Sequence, residues 1–194
     1  EEVKQYVITE INKHINTPVS VKSVDFTVWE KFPNASLKFS DVIVKSSKDI
    51  NPKDFGDNAV NLLSAKSLYI QFDIYFLLNQ VYKIKEIHIQ DAEIFIAFDK
   101  NGKDNFTIWK SNESDTLSQT LELNLREVKI NNSILTWQDI QSDFYYKAHL
   151  NNLNSKGVFN EDISDFEIET DGKSAVLKLS NDKYFVESKF ELSS

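Results

Sequence analysis

Cysteine and methionine are absent from the 194 residues, and glycine and proline are scarce, at four and three. Without cysteine there is neither a disulfide framework nor a thiolate metal site, and a thiol-free chain is compatible with the cytosol or the periplasm. Four glycines leave no glycine-rich loop to cradle a phosphate, and no Gly-x-Ser-x-Gly nucleophile turn occurs. No run of about 18 apolar residues exists, so no stretch reads as a membrane-spanning helix. An excess of cations is missing as well. Lys and Arg number 22 against 30 Asp and Glu, a net charge of -8. That balance excludes a nucleic-acid binder built on clustered basic side chains, and it speaks against adhesion to an anionic membrane by charge alone. With no methionine at position 1, a mature form or an excised piece of a longer protein is expected.

What is present is the composition of a folded domain, 41% hydrophobic and 27% charged, in a length that makes residues 1–194 one large domain or part of a larger sheet. Residues 1–17 carry Val3, Val7, Ile11 and Ile15 at helical spacing opposite Lys4, Glu10 and Lys13, and Pro18 stops the pattern, so an N-terminal amphipathic helix is expected there. Residues 18–194 read as repeated β-hairpins. Leu68, Ile70, Phe72 and Ile74 alternate with Tyr69, Gln71 and Asp73, the period of a strand with one buried and one wet face. Residues 93–99 are apolar on both faces, which predicts a strand covered on both sides. Asn101-Gly102 predicts a hairpin turn with residues 105–110 returning as the partner strand. Reversals are also expected at Asn131-Asn132-Ser133 and at Asp171-Gly172. The fold class is therefore mainly β: a helix followed by a large, twisted, mainly antiparallel sheet of about ten strands.

An internal repeat supports that reading. Residues 84–92 (IKEIHIQDA) and 125–133 (LREVKINNS) match in character at an offset of roughly 41 residues, in the range of stacked repeat architectures. Both copies slip the apolar phase at the glutamate, Glu86 or Glu127, which predicts equivalent bulges at equivalent sheet edges.

The order Ala65, a strand over 68–74, Leu77-Leu78, a strand ending Ile87-His88-Ile89, Asp91-Ala92, a strand over 93–99, then Gly102 and Asn105 resembles the N-terminal region of AsmA-like proteins. The likeness continues upstream through 21–44 and covers about two thirds of the chain. It implies a periplasmic region anchored to a Gram-negative inner membrane by a transmembrane helix just before Glu1. It also implies kinship in pattern with chorein-type bridge-like lipid transfer proteins, whose sheets curl into an open groove or half-barrel. Phospholipid traffic between inner and outer membranes, or upkeep of outer-membrane lipid composition, is the corresponding role, with phospholipid and envelope proteins as partners.

The residues themselves offer no catalytic constellation, so no enzyme activity, cofactor or metal is expected. His14, His88 and His149 lie apart without ligand-spaced neighbours, and the cluster of Glu161, Asp162 and Asp165 lacks the glycine of a calcium loop. Burial of an apolar ligand is the physical capability left. The groove candidates are Leu68, Ile70, Phe72, Ile74, Ile87, Ile89, Ile94 and Ile96, with Tyr69, Gln71, Asp73 and His88 facing water or the helix. The rival expectation is a non-catalytic structural or protein-interaction β-domain, in form a closed sandwich, whose apolar face is a filled core.

Overall fold

A computed structural model describes residues 8–9, 11–12, 15–27, 34–56, 58–73, 82–108, 110, 121–159, 164–180 and 182–193. Among the described residues nine strands form one sheet: β1 (Val19–Ser20), β2 (Ser23–Thr27), β3 (Asn34–Lys45), β4 (Asn61–Asp73), β5 (Tyr82–Phe98), β6 (Leu121–Asp139), β7 (Phe144–Phe159), β8 (Ser164–Leu179) and β9 (Asp182–Ser193). β1 and β2 both pair with β3, and from β3 to β9 the sheet follows chain order. Among the described residues no second sheet faces it, and it does not close on itself, so the closed sandwich is not formed. The accessible surface, 12676 Å², is about a third larger than the roughly 9,400 Å² of a compact protein of 22.4 kDa.

One pair departs from the expected hairpins. β5 and β6 are parallel, and they are the two copies of the repeat laid side by side: Glu86 pairs with Glu127, Ile87 with Val128 and Ile89 with Ile130. Parallel neighbours need a crossover of a dozen or more residues rather than a tight turn, and the chain between the two strands is long enough for one. The two strands therefore occupy the middle of the sheet and not its edges. Their irregularities lie just before the glutamates and are not equivalent. Lys85 is the extra residue of a bulge against β4, where Gln71 pairs with Glu86 and Phe72 with Ile84, whereas residues 124–126 of β6 stand against Lys85 alone.

Two expected reversals, at Asn131-Asn132-Ser133 in β6 and Asp171-Gly172 in β8, are instead points inside long strands, as is Gln90-Asp91 in β5. Asp41 (φ 49°), Asp91 (φ 52°) and Asn132 (φ 46°) have left-handed backbone, which Asp and Asn tolerate better than other side-chain-bearing residues. The register places all three in one transverse row with Lys66 between the first two. Across that row the apolar residues step by three positions instead of two, Phe39 to Val42, Leu68 to Ala65 and Ile89 to Ala92, so one face stays apolar on both sides of the crease. Phe39, Val42 and Leu68 accordingly share one cluster.

The other corrections are local. The turn at Asp99 to Gly102 forms, with Gly102 N donating to Asp99 O at 3.0 Å and Gly102 at φ 76°. Its return is a single bridge, Phe98 with Asp104, and not a strand over 105–110. Asn105 interrupts it. Fully buried, it accepts from Ala97 N at 2.9 Å and donates to Phe95 O at 2.6 Å, so its side chain stands in for strand backbone. Of the N-terminal helix expected over 1–17, only Ile8, Thr9, Ile11 and Asn12 have helical backbone; residues 1–7, 10, 13 and 14 lie outside the described residues, and no amphipathic helix is established. Ile8 and Ile11 pack with Val21, Phe39 and Val42.

Candidate functional site

Seven of the eight groove candidates lie on described backbone, and all seven register to one face. Leu68 pairs with Ile89 and Ile70 with Ile87; beyond the crease, Leu63 pairs with Ile94, and Ile96 follows two residues later in β5. Phe72 pairs with Ile84 by its backbone, while its side chain, like the whole of Ile74, lies outside the described residues. Each described candidate side chain is partly buried. Such half-burial is what a side chain shows when strand neighbours flank it and the layer above is incomplete.

The same face extends past the candidates. Val128 and Ile130 of β6 continue the rows of Ile87 and Ile89, and Leu153 of β7 continues that of Ile130. On the far side Leu37 and Phe39 of β3 continue those of Ile70 and Leu68. The repeat offset already equates Ile87 with Val128 and Ile89 with Ile130, so the β6 residues were legible once the copies were known to lie side by side. The face ends in an aromatic cluster. Phe98 stacks on Trp137 with ring centres 6.0 Å apart, and Phe106 and Phe144 meet them edge-on.

The opposite face is polar over the lower half of the sheet. Tyr69 stacks on His88 at 5.4 Å with Lys38 Nζ over its ring, and His88 Nε2 lies 2.6 Å from Asn131 Oδ1. Gln71, expected at water or the helix, is buried in the row of Ser36 and Glu86, flanked by strands on both sides. Asp73 has no described side chain. Lys129 bonds both Glu86 and Glu127 at 3.0 Å; burial lowers its pKa, but the two carboxylates outweigh this and hold it above the ordinary lysine value. Past the crease this face is covered by residues 46–60, whose 3₁₀ turns Pro52–Phe55 and Asn58–Val60 place Ile50, Phe55 and Ala59 on Phe95 and Ala97. That long loop covers one face of residues 93–99; on the other, Ile94, Ile96 and Phe98 are only partly buried, so the strand is not covered on both sides as expected. Beside it is a recess of about 210 Å³ lined by Ser64, Glu93, Thr136, Tyr145 and Lys147; burial raises the Tyr145 pKa.

A polar seam follows the crease. Lys22 pairs with Asp41 at 3.4 Å, Asn132 donates to Asp91, and Asn151 and Asn152 donate to the two oxygens of Asp171 at 2.7 and 2.9 Å. Those amides hold the Asp171 pKa below its ordinary value. No cluster of three metal-ligating side chains occurs among the described residues. His88 and His149 lie on different strands, and His14, Glu161 and Asp162 are outside the described residues. No described helix is long and apolar enough to cross a membrane.

Comparison with protein-family models finds no match, and no curated protein matches the chain.

Proposed function

We propose that the chain is the periplasmic part of an AsmA-like protein anchored to the inner membrane, and that its apolar sheet face shields phospholipid acyl chains. The role that follows is traffic between inner and outer membranes, or maintenance of outer-membrane lipid composition, without catalysis. One observation carries this reading: the apolar face continues across the crease on the neighbouring strands β3, β4 and β5 of a single open sheet, through Val42, Ala65 and Ala92. Among the described residues, Ile8 and Ile11 pack on that face at the β3 side, while residues 46–60 cover the other face.

Physical magnitudes support it. Along β5 the face runs from Ile84 to Phe98, roughly 46 Å at strand rise, longer than an extended acyl chain. Each methylene withdrawn from water contributes about 0.8 kcal/mol, so sheltering six of them supplies roughly 5 kcal/mol without a polar contact. The candidate face has no charged residue at these positions to select a headgroup, so uptake should tolerate many phospholipids and vary little with salt.

Photo-crosslinking in cells tests the proposal. A photoreactive side chain at Ile70 or Ile89 should give phospholipid adducts, whereas one at Tyr69 should not. Ile70→Gln should reduce lipid uptake more than it lowers the melting temperature. If a folded protein yields no adduct at Ile70 or Ile89, or if Ile70→Gln destabilises it as a core substitution while lipid uptake is unchanged, this face is not a lipid surface.

A further inference from the structure

On the polar face, β8 and β9 are sorted by charge. Past the crease, the row of Glu93, Ile134 and His149 continues into Lys173 and Lys189, and that of Gln138 and Tyr145 into Lys178 and Lys183. In the lower half, the row of Gln90, Asn131 and Asn152 ends in Asp171 and Glu191, and Glu169 and Glu167 follow along β8. Asp171 is half-buried, while the four lysines and three glutamates are exposed. Exceptions to the sorting are few. Lys156 lies beside Glu167 in register but pairs with Glu127 at 3.9 Å, and Glu187, at φ 57°, stands at a left-handed step between Val186 and Ser188.

Three direct cross-strand pairs are consequently of like charge: Asp171 with Glu191, Lys173 with Lys189 and Lys178 with Lys183. Like charges directly opposite destabilise a sheet whose face stands alone. Among the described residues no ion pair engages any of these six side chains. The two ends of the face cannot neutralise one another either. Lys178 and Glu167 are about 30 Å apart along β8 at strand rise, several times the roughly 8 Å over which salt screens exposed charges.

We propose that a second copy of the chain covers this face, related by a two-fold axis that crosses the strands at the crease. Such an axis lays β8 on β8 and β9 on β9 with the strands reversed, so each row meets the row equally far on the other side of the crease. In the first rows Lys173 faces Asp171 of the second copy and Lys189 faces its Glu191. In the third rows Lys178 faces its Glu167. Each contact occurs twice. Stacked sheets lie about 10 Å apart, a gap that a lysine and a carboxylate side chain span from opposite sides. An anionic ligand or surface would answer the lysines alone and repel the acids, whereas the chain itself presents both charges at matching row spacing. The apolar faces of the two copies point outward, so this pairing does not depend on the lipid-shielding reading and does not obstruct it.

Sedimentation equilibrium at low ionic strength should show a monomer–dimer equilibrium that moves toward monomer as salt is added. Lys178→Glu with Lys189→Glu should weaken dimerisation on the order of 500-fold, at roughly five-fold for each of four contacts turned from attraction to repulsion. Glu167→Lys with Glu191→Lys should do the same. Mixed in equal amounts, the two variants should form a heterodimer about as tight as the parent dimer, because every contact is again between opposite charges. Lys178→Glu also turns the like pair with Lys183 into an opposite one, so this loss of association should come without a loss of melting temperature. The inference is overturned if the chain is monomeric at low ionic strength, if its dimer is indifferent to salt, or if the two variants fail to restore each other. It is equally overturned if Lys178→Glu alone leaves dimerisation unchanged, which would place the contact at the β9 edge, or if a monomeric chain binds heparin through these lysines, which would assign them to an anionic ligand.

Discussion

Gly172→Ala is the smallest substitution with a large expected effect. Gly172 is buried in β8, pairing with Leu150 of β7 and Phe190 of β9. Asn151 is the extra residue opposite, since Leu150 pairs with Gly172 and Asn152 with Asp171. A Cβ at Gly172 falls 2.2 Å from the backbone oxygen of His149 and 2.8 Å from Cζ of Phe190. The phenyl ring can swing aside, but the carbonyl can move only if β7 and β8 separate by about an ångström, against an ordinary carbon contact of roughly 3.5 Å. Overpacking usually costs 1–3 kcal/mol, and a backbone clash belongs at the top of that range. Lost unfolded-state freedom returns about 0.5 kcal/mol, leaving a net destabilisation of roughly 2.5 kcal/mol. For a chain of this length that lowers the melting temperature by about 5–10 °C. Thermal and urea unfolding give the number, and hydrogen exchange should show the loss of protection concentrated in β7 and β8. Gly102→Ala is the comparison: its φ is 76°, yet its Cβ meets only Gln141 Oε1 at 3.6 Å. There the left-handed backbone costs about 1 kcal/mol and no strand moves. A Gly172→Ala protein as stable as its parent, or less affected than Gly102→Ala, refutes the reasoning.

Asn105→Ala should cost about 3 kcal/mol by urea unfolding, because it strands Ala97 N–H and Phe95 C=O in a buried site at roughly 1–3 kcal/mol each; Asn105→Asp should also destabilise, since the carboxylate cannot donate to Phe95 O. Asp171, whose folded pKa lies below its unfolded value, contributes stability that is present above the unfolded pKa and lost as pH falls through the folded one. A carboxyl NMR titration should therefore find its midpoint below that of a model Asp, and Asn151→Ala with Asn152→Ala should bring it back up. Lys129 behaves oppositely. Its raised pKa means that its contribution holds below the unfolded lysine pKa and is lost as alkali passes the folded one, so Lys129→Met should flatten the alkaline limb of the stability profile.

Strand character and the apolar face were written in the sequence, because alternation with period two depends only on neighbours along the chain. Leu68 to Ile74, Ile87 to Ile89 and Ile94 to Ile96 each carry that pattern, and it is the three-residue step at the Asp91 crease that brings the two β5 segments, and so the seven candidates with described backbone, to one face. The repeat at 84–92 and 125–133 was equally legible, since two strands of like character can lie in register beside one another. Tertiary structure decided the direction of that pairing. Nothing local distinguishes a parallel neighbour reached by a crossover from an antiparallel one reached by a turn. It also decided what Asp91, Asn132 and Asp171-Gly172 do. Asp, Asn and Gly accept left-handed or tightly packed backbone equally well in a hairpin and in a crease, and the chain continues straight only where strands on both sides hold the ladder. Whether an isoleucine is covered is likewise set across the sheet. Phe95 and Ala97 received the 46–60 segment, Phe39 and Val42 received Ile8 and Ile11, and which face gains a second layer depends on contacts between residues tens of positions apart.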